Sequence, residues 1–264
     1  MKFPFRCFLS VLTLLIATPC LLAQGPPFQT DDPVPVDFGH YEFYVFGTVD
    51  GTPVALNSTG PAFEFNWGAL PRVQLHAILP LGNSVPMNSA VSAPEGQGPL
   101  TFGLTDMEFG VKLALLKESK YFPQLGTFTM IELPTGDDTR GLGNGKTWYK
   151  LPLWLQKNQG AWLFDGGAGY AVNQQQGFRN YAYTGWLVKR KFSERLELGT
   201  EIFAHAAEGE AAPQSQAATM ADLGMYYHFK NPNHQLLAAY GHTLAGQTEN
   251  YAYLGLYWTW GKKE

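Results

Sequence analysis

The sequence predicts an all-β chain, an antiparallel transmembrane up-and-down β-barrel of about twelve strands, and three observations carry that prediction. Apolar and polar residues alternate in runs of about ten residues, each of which ends in turn-forming residues. Charged residues make up only 15% of the chain, whereas soluble domains average roughly 25%. Connections between the runs are alternately short and long, as in barrels whose termini lie on the same side of a membrane.

The first 23 residues have the pattern of a secretory signal peptide. Lys2 and Arg6 give a positive start, a short apolar run follows, and Ala23 fits the last position before cleavage. A membrane-anchoring helix is the alternative. Pro19 argues against it, because the run it interrupts is shorter than the roughly 20 apolar residues that a span requires.

Cysteine and charge content bear on the partners of the exported chain. Cys7 and Cys20 both lie in the signal segment, so no disulfide is expected after cleavage. Lipid attachment at Cys20 is an alternative that the preceding proline makes a poor match. Without Lys2 and Arg6, 16 basic residues stand against 22 acidic ones, and a net charge near −6 argues against nucleic acid as a partner.

The alternating runs define the predicted strands. In one of them, Met107 and Phe109 alternate with Glu108. The runs 124–134 and 250–260 carry apolar or aromatic residues on both faces, so the pattern leaves their inward face open. The predicted strands are 39–50, 60–68, 72–81, 103–116, 124–134, 146–157, 161–173, 180–191, 195–206, 217–229, 234–245 and 250–260.

Loop lengths orient the predicted barrel. Short turns at one end and long loops at the other are typical of outer-membrane barrels, and closure is required because hydrocarbon leaves no partner for a free sheet edge. We therefore expect a periplasmic segment at 24–38 and one outer-membrane barrel domain at 39–261, with a soluble sandwich or propeller as the alternative. The predicted longer loops are 51–59, 82–102, 135–145, 174–179 and 207–216.

Charged and histidine side chains opposite the apolar face are predicted to line the lumen, because a charge that faces lipid at mid-bilayer costs roughly 2–4 kcal/mol. They have two interpretations. Paired charges can hold the wall of a small barrel together, or they can line a polar path or ligand cavity whose acidic excess disfavours anions. The predicted lumen residues are Glu42, Glu64, Arg72, His76, Asp106, Glu108, Lys112, Lys150, Asp165, Glu197, Glu201, His205, Asp222 and His228.

Aromatic residues near the strand ends are expected to form the interfacial girdles of a membrane protein. A few of them have a second interpretation, as the wall of a hydrophobic ligand pocket. These residues include Trp67, Trp148, Tyr149, Trp154, Trp162, Trp186, Trp258 and Trp260.

Residues 141–147 read GLGNGKT and superficially match a phosphate-binding loop. That motif needs four residues between its first Gly and Gly-Lys-Thr, but position 140 is Arg140 and Gly141 leaves only three. A strand-like run follows instead of a helix, so the sequence argues against nucleotide binding, and no cofactor is predicted. Calcium at Asp137 and Asp138 is an alternative without a matching ligand motif, so no metal site is predicted.

Several stretches resemble the outer-membrane family named after the MetA pathway of phenol degradation. Residues 131–145, IELPTGDDTRGLGNG, carry the resemblance furthest, and TWYKLPLWLQ, WGALPRVQLHAILPL and GLTDMEFGVKLALLKE share its character. Members are regarded as transporters or channels for aromatic and other hydrophobic compounds. The motif of the family loop comprises Pro134, Thr135, Gly136, Asp137, Gly141, Gly143 and Gly145.

The resemblance implies a role in transport and does not identify a substrate. We expect passive uptake of small hydrophobic or aromatic solutes, with loops 82–102 and 135–145 gating the mouth. Expected partners are these solutes, outer-membrane lipid and the barrel-assembly machinery. Many barrels end in an aromatic assembly signal, whereas Trp260 is followed here by Gly-Lys-Lys-Glu, so we expect an internal signal. The alternatives are a structural or adhesive barrel and a lipid-modifying hydrolase. No catalytic residue is predicted, because the sequence has no GxSxG motif.

Overall fold

The computed structural model describes residues 26–53, 55–86, 101–210 and 215–261, and these form the predicted antiparallel barrel. The predicted signal peptide, most of loop 82–102 and the C-terminal Lys-Lys-Glu fall outside the described residues. Within the described ranges, no helix is long and apolar enough to cross a membrane.

The described strands form one antiparallel sheet that closes through the pairing of β2 with β3. β4 and β5 both pair with β3, one after the other, so together they occupy one of the twelve positions around the barrel. The strands are β1 His40–Gly51, β2 Ala55–Leu70, β3 Val73–Pro86, β4 Thr101–Leu104, β5 Met107–Leu116, β6 Gln124–Leu133, β7 Trp148–Gln159, β8 Trp162–Asn173, β9 Tyr181–Lys191, β10 Leu196–His205, β11 Ala218–His228, β12 His234–Gly246 and β13 Asn250–Gly261.

Burial alternates along the strands, which gives the wall an inner and an outer face. In β13, Tyr253 and Tyr257 are buried, whereas Leu254 between them is 61% exposed. In β6, Gln124 and Phe128 are buried. The alternation resolves the two runs whose phase the sequence left open, because in both of them aromatic side chains face the lumen.

The outer face is largely apolar, as contact with hydrocarbon requires. At the end of the barrel where β1 begins, Tyr41 stacks against Phe65, Trp67 and Trp260, with ring centroids 5.7–6.3 Å apart. This aromatic cluster has the position and composition of an interfacial girdle.

The connections follow the predicted asymmetry in part, because 117–123 is long for the short-turn end and 247–249 is short for the opposite end. Turns 71–72, 160–161 and 192–195 are short at the end where the barrel strands begin and end, and 206–217 is longer at the opposite end. The predicted loop 51–59 is wrong, because β2 starts at Ala55 and its first residues pair with both β1 and β3.

Residues 26–36 lie inside the barrel, whereas the sequence predicted a periplasmic segment at 24–38. The wall makes room for this N-terminal segment with inward-facing glycines. A Cβ at Gly126 would come within 2.7 Å of the Pro33 carbonyl oxygen, and one at Gly185 would collide with the Thr30 hydroxyl. Strand periodicity could not reveal this placement, because the segment is not a strand and its neighbours in the fold are distant in sequence.

Candidate functional site

A cavity of about 390 Å³ occupies the lumen between the N-terminal segment and the longer loops. Its floor is made by Pro26, Phe28, Gln29 and Asp31 of that segment. Its wall has two chemically different sides. One side is polar and is formed mainly by β1, β2, β3 and β5. The other is aromatic and is formed mainly by β6, β7, β9 and β10.

Glu201 on β10 binds the N-terminal segment through its backbone. The N–H groups of Gln29 and Thr30 donate to the two carboxylate oxygens of Glu201, at 3.0 and 2.5 Å. Hydrogen bonds between a carboxylate and backbone N–H groups are among the stronger ones in proteins. The middle of the segment is therefore held against the wall of β10.

Lys112 on β5 binds the same segment from the opposite wall. Its Nζ lies 3.0 Å from Asp31 Oδ1 and 3.1 Å from Asp32 Oδ2. The lysine and Asp32 are both buried, so the removal of either partner leaves an uncompensated charge in the interior. The Gln124 amide also donates to the Pro33 carbonyl at 3.1 Å.

The polar side of the cavity centres on His76. Its Nδ1 lies 2.7 Å from Asn66 Oδ1 and 3.5 Å from Glu64 Oε1, and its Nε2 lies 3.1 Å from Glu108 Oε1. Glu42 is buried beside this group and accepts a 2.8 Å bond from the Tyr257 hydroxyl. The network links β1, β2, β3 and β5, so its first effect is to rigidify that part of the wall.

The aromatic side of the cavity consists of large rings that lie over inward-facing glycines. Trp154 covers Gly167, and Tyr183 covers Gly169. The Trp154 indole N–H and the Tyr183 hydroxyl are buried and have no hydrogen-bond partner in the described part of the chain. The same holds for the Tyr253 hydroxyl, which also belongs to the cavity lining. This wall therefore combines apolar ring surface with a few buried donors that have no partner in the described residues.

Two acidic residues near the loops contribute to the mouth of the cavity. Burial raises the pKa of the Glu249 carboxyl above its ordinary value, and the nearby Glu208 carboxylate raises it further. Glu208 also forms a 3.2 Å ion pair with His205. Negative charge at the mouth therefore decreases as the pH falls through a range above the ordinary glutamate pKa.

Loop 134–147, which carries the family motif, folds around Asp106 on the neighbouring connection. The N–H groups of Gly136 and Asn144 donate to the two Asp106 oxygens, at 2.8 and 2.5 Å. Leu142 is buried. The exposed Asp137 accepts a 2.6 Å bond from the Thr139 hydroxyl, which lowers the pKa of that carboxyl.

Replacement of Asp106 by Ala is expected to release this loop. Hydrogen bonds to a charged group contribute roughly 1.5–3 kcal/mol each, so tryptic cleavage after Arg140 should accelerate about tenfold or more. Limited proteolysis of the folded barrel measures this rate. The matched control is Asp137→Ala, which removes an exposed carboxylate from the same loop and should change cleavage less than twofold. Equal rates in the two variants would contradict the role of Asp106.

The predicted lumen residues occupy inward-facing positions in the described strands, except for Asp106, which lies in the connection between β4 and β5, and Arg72. That residue lies exposed in the turn 71–72, where its Nη2 donates to the Leu115 carbonyl at 3.0 Å. Alternation does not show at which residue a strand begins. The predicted strand therefore began at Arg72, one residue before the start of β3. Loop 134–147 runs into strand β7, which is the setting expected for a connection and not for a phosphate-binding loop.

The other predicted lumen residues fall into separate groups. Glu42, Glu64 and Glu108 gather around His76, while Lys112 and Glu201 hold the N-terminal segment. Glu197 and His228 form a 3.3 Å pair. Asp222 lies opposite Glu201 in the pairing of β10 with β11. The remaining members make separate contacts. His205 pairs with Glu208, and Asp106 binds loop 134–147. Asp165 is buried, and the Nζ of Lys150 lies 4.8 Å from the centre of the Trp148 ring.

Sequence reasoning missed most of the aromatic wall. Trp148 and Trp154 were expected mainly in the girdle, but both line the cavity. The available signal was their spacing, because Trp148 and Trp154 lie an even number of positions from Lys150 and Gln156. All four side chains therefore share the inward face of β7. Lys189 was also missed; it is buried, and its Nζ lies 4.8 Å from the Tyr226 ring centre.

Solved structures resemble this fold, although sequence similarity is low. The COG4313 outer-membrane channel from Pseudomonas putida F1 aligns with a TM-score of 0.70 at 16% identity, covering 89% of this chain and 100% of that one. The NanC porin gives 0.55 at 11%, covering 82% and 98%, and the translocator domain of the autotransporter NalP from Neisseria meningitidis gives 0.54 at 12%, covering 84% and 89%.

No protein-family model matches the chain, and no curated protein matches it in sequence. The resemblance to the MetA-pathway family therefore stays a prediction from the residues. The structural likeness shows that the chain has the fold of an outer-membrane β-barrel.

Proposed function

We propose that the protein is an outer-membrane channel for small, uncharged aromatic or hydrophobic solutes. The observation that carries the proposal is the cavity inside the barrel, one wall of which consists of aromatic rings with isolated donors. Apolar cavities with a few polar groups are the usual form of small-molecule sites. The apolar outer face and the barrel fold support a location in the outer membrane.

The charges around the cavity favour neutral solutes over anions. Six carboxylates line it, whereas its basic groups are two lysines and two histidines. Lys112 is already paired with Asp31 and Asp32. An anion would therefore enter against the local charge, whereas an uncharged ring can pack against the aromatic side chains of this wall.

Uptake of radiolabelled 1-naphthol by whole cells that produce the chain tests this proposal. We expect saturable uptake above that of cells without the chain, and no such increase for naphthalene sulfonate, which has the same rings and a negative charge. Replacement of Tyr183 by Ala should raise the half-saturating concentration roughly fivefold, because a lost aromatic contact costs about 1 kcal/mol.

The matched control for Tyr183→Ala is Trp186→Ala on the same strand. Trp186 is 59% exposed on the outer face, so its removal should leave uptake unchanged. Uptake equal to that of cells without the chain, or equal effects of the two substitutions, would contradict an aromatic solute site in the lumen.

A further inference from the structure

The backbone ladder of the barrel is interrupted between β6 and β7. Their pairing runs from Gln124–Gln156 to Gly126–Trp154 and resumes only at Met130–Lys150. Residues 127–129 and 151–153 between these points are not paired with each other, although they pair fully with β5 and β8 on their other sides. This is the longest break in any ladder of the described strands, and we call it the β6–β7 seam.

Pro152 lies at the centre of the seam. Proline has no N–H and cannot donate to a sheet ladder, so in sheets it is confined to edges and bulges. The Pro152 carbonyl accepts a 2.6 Å bond from the Thr127 hydroxyl, so a side chain takes the place of a backbone donor there. The seam is therefore encoded by residues that keep the two strands from closing at this level.

The polarity of β6 is inverted at the same place. Its inward-facing residues there, Phe128 and Met130, are apolar and belong to the cavity lining. Thr127 and Thr129 occupy the alternate, outward-facing positions, where hydrocarbon normally selects apolar residues. The inner surface beside the seam is thus apolar. On the outer side, threonine hydroxyls can bind backbone groups of the seam, as the Thr127 hydroxyl does.

The seam also adjoins the aromatic wall of the cavity. Phe128, Trp154 and Tyr183 form one buried cluster, and Phe128 and Trp154 stand on the two strands that border the seam. Below them, the N-terminal segment closes the floor of the cavity. A solute held on the aromatic wall therefore lies beside the part of the wall in which the backbone ladder is interrupted.

We propose that the β6–β7 seam is a lateral exit, through which uncharged aromatic solutes pass from the cavity into the hydrocarbon of the membrane. This inference rests on the proposed function. It adds the route by which the solute leaves the barrel and the solute property that this route requires, which is solubility in the bilayer. A solute that leaves sideways need not displace the N-terminal segment, but it must be able to dissolve in the bilayer. Ions and charged solutes cannot use the seam.

A disulfide across the seam tests the exit. Thr129 and Leu151 occupy opposite outward positions, and the expected exported chain has no other cysteine. After oxidation, Thr129→Cys with Leu151→Cys should lower 1-naphthol uptake at least fivefold, and reduction should restore it. The ionic conductance of the purified full chain in planar bilayers should stay unchanged. The matched control is Tyr149→Cys with Val172→Cys, which links the intact ladder between β7 and β8 outside the seam and should not affect uptake.

Pro152→Ala provides a second, independent closure, because it restores an N–H at the centre of the seam. Pro152→Ala should also lower 1-naphthol uptake. If the disulfide does not form, this variant alone tests the lateral exit. Wild-type uptake in the oxidised double-cysteine protein, or in Pro152→Ala where no disulfide forms, would overturn the lateral exit while leaving the proposed function intact. If the unmodified chain itself fails to take up 1-naphthol, the proposed function and the exit both fall.

Discussion

Deletion of residues 26–36 is expected to raise the single-channel conductance of the barrel about tenfold, because a twelve-stranded barrel encloses a narrow lumen that this segment fills. The segment contributes the cavity floor and contacts wall residues on opposite sides, including Lys112 and Glu201. Recordings of purified protein in planar bilayers measure the change. The deletion keeps every residue of the barrel strands, so closure of the wall is not affected.

A matched control distinguishes two effects of the segment on conductance: the volume that it occupies in the lumen and the contacts that hold it there. Replacement of residues 26–36 by a Gly/Ser stretch of equal length removes the bonds to Lys112 and Glu201 but keeps a chain of the same length. We expect this variant to switch between low and high conductance, because a flexible chain is no longer held in the lumen. If the deletion leaves the conductance at the wild-type value, the segment does not close the lumen.

Replacement of Lys112 by Met is expected to expose the N-terminal segment to solvent. Loss of one partner of a buried ion pair costs roughly 3–5 kcal/mol, and 1.4 kcal/mol corresponds to a factor of ten, so the open population should increase at least about a hundredfold. The reporter is Thr30→Cys, because Thr30 is 2% exposed. The measurement is the rate at which a water-soluble maleimide labels this cysteine.

Lys157→Met is the matched control for this experiment. Lys157 forms a 3.1 Å ion pair with Glu118 at a partly exposed turn, where such pairs contribute about 0–1 kcal/mol. Its removal should leave labelling of the Thr30→Cys reporter nearly unchanged. The addition of Asp31→Asn and Asp32→Asn to Lys112→Met should slow labelling again, because the uncompensated charges are then gone. Equal labelling in the two lysine variants would contradict the role assigned to Lys112.

The candidate site shows how far alternation can predict a function. The phase of β1, β2 and β3 placed Glu42, Glu64 and His76 on the inner face, where the structure joins them in one network. Alternation alone could not pair them, since their contacts depend on the stagger between neighbouring strands. Nor could it find the aromatic wall, because in β6 the apolar residues face the lumen and the usual rule of polar inside and apolar outside is reversed.

The interruption of the β6–β7 ladder illustrates the same limit at the level of the backbone. Pro152 was visible in the sequence as a residue that weakens a strand. Its consequence depends on the residues opposite it, and these are Thr127 to Thr129 only because of the register between the two strands. The position of the break beside the aromatic cluster therefore emerges only after the sheet has closed.

The sequence by itself determined the barrel: its alternation, its scarcity of charge and its alternating loop lengths suffice, because each reflects a local demand of a strand between water and lipid. The tertiary structure decided what fills the barrel. Residues 26–36 bind Lys112, Gln124 and Glu201 through contacts between residues that are 80 to 172 positions apart along the chain. Such contacts depend on register and closure, two properties of the whole sheet that no local pattern records.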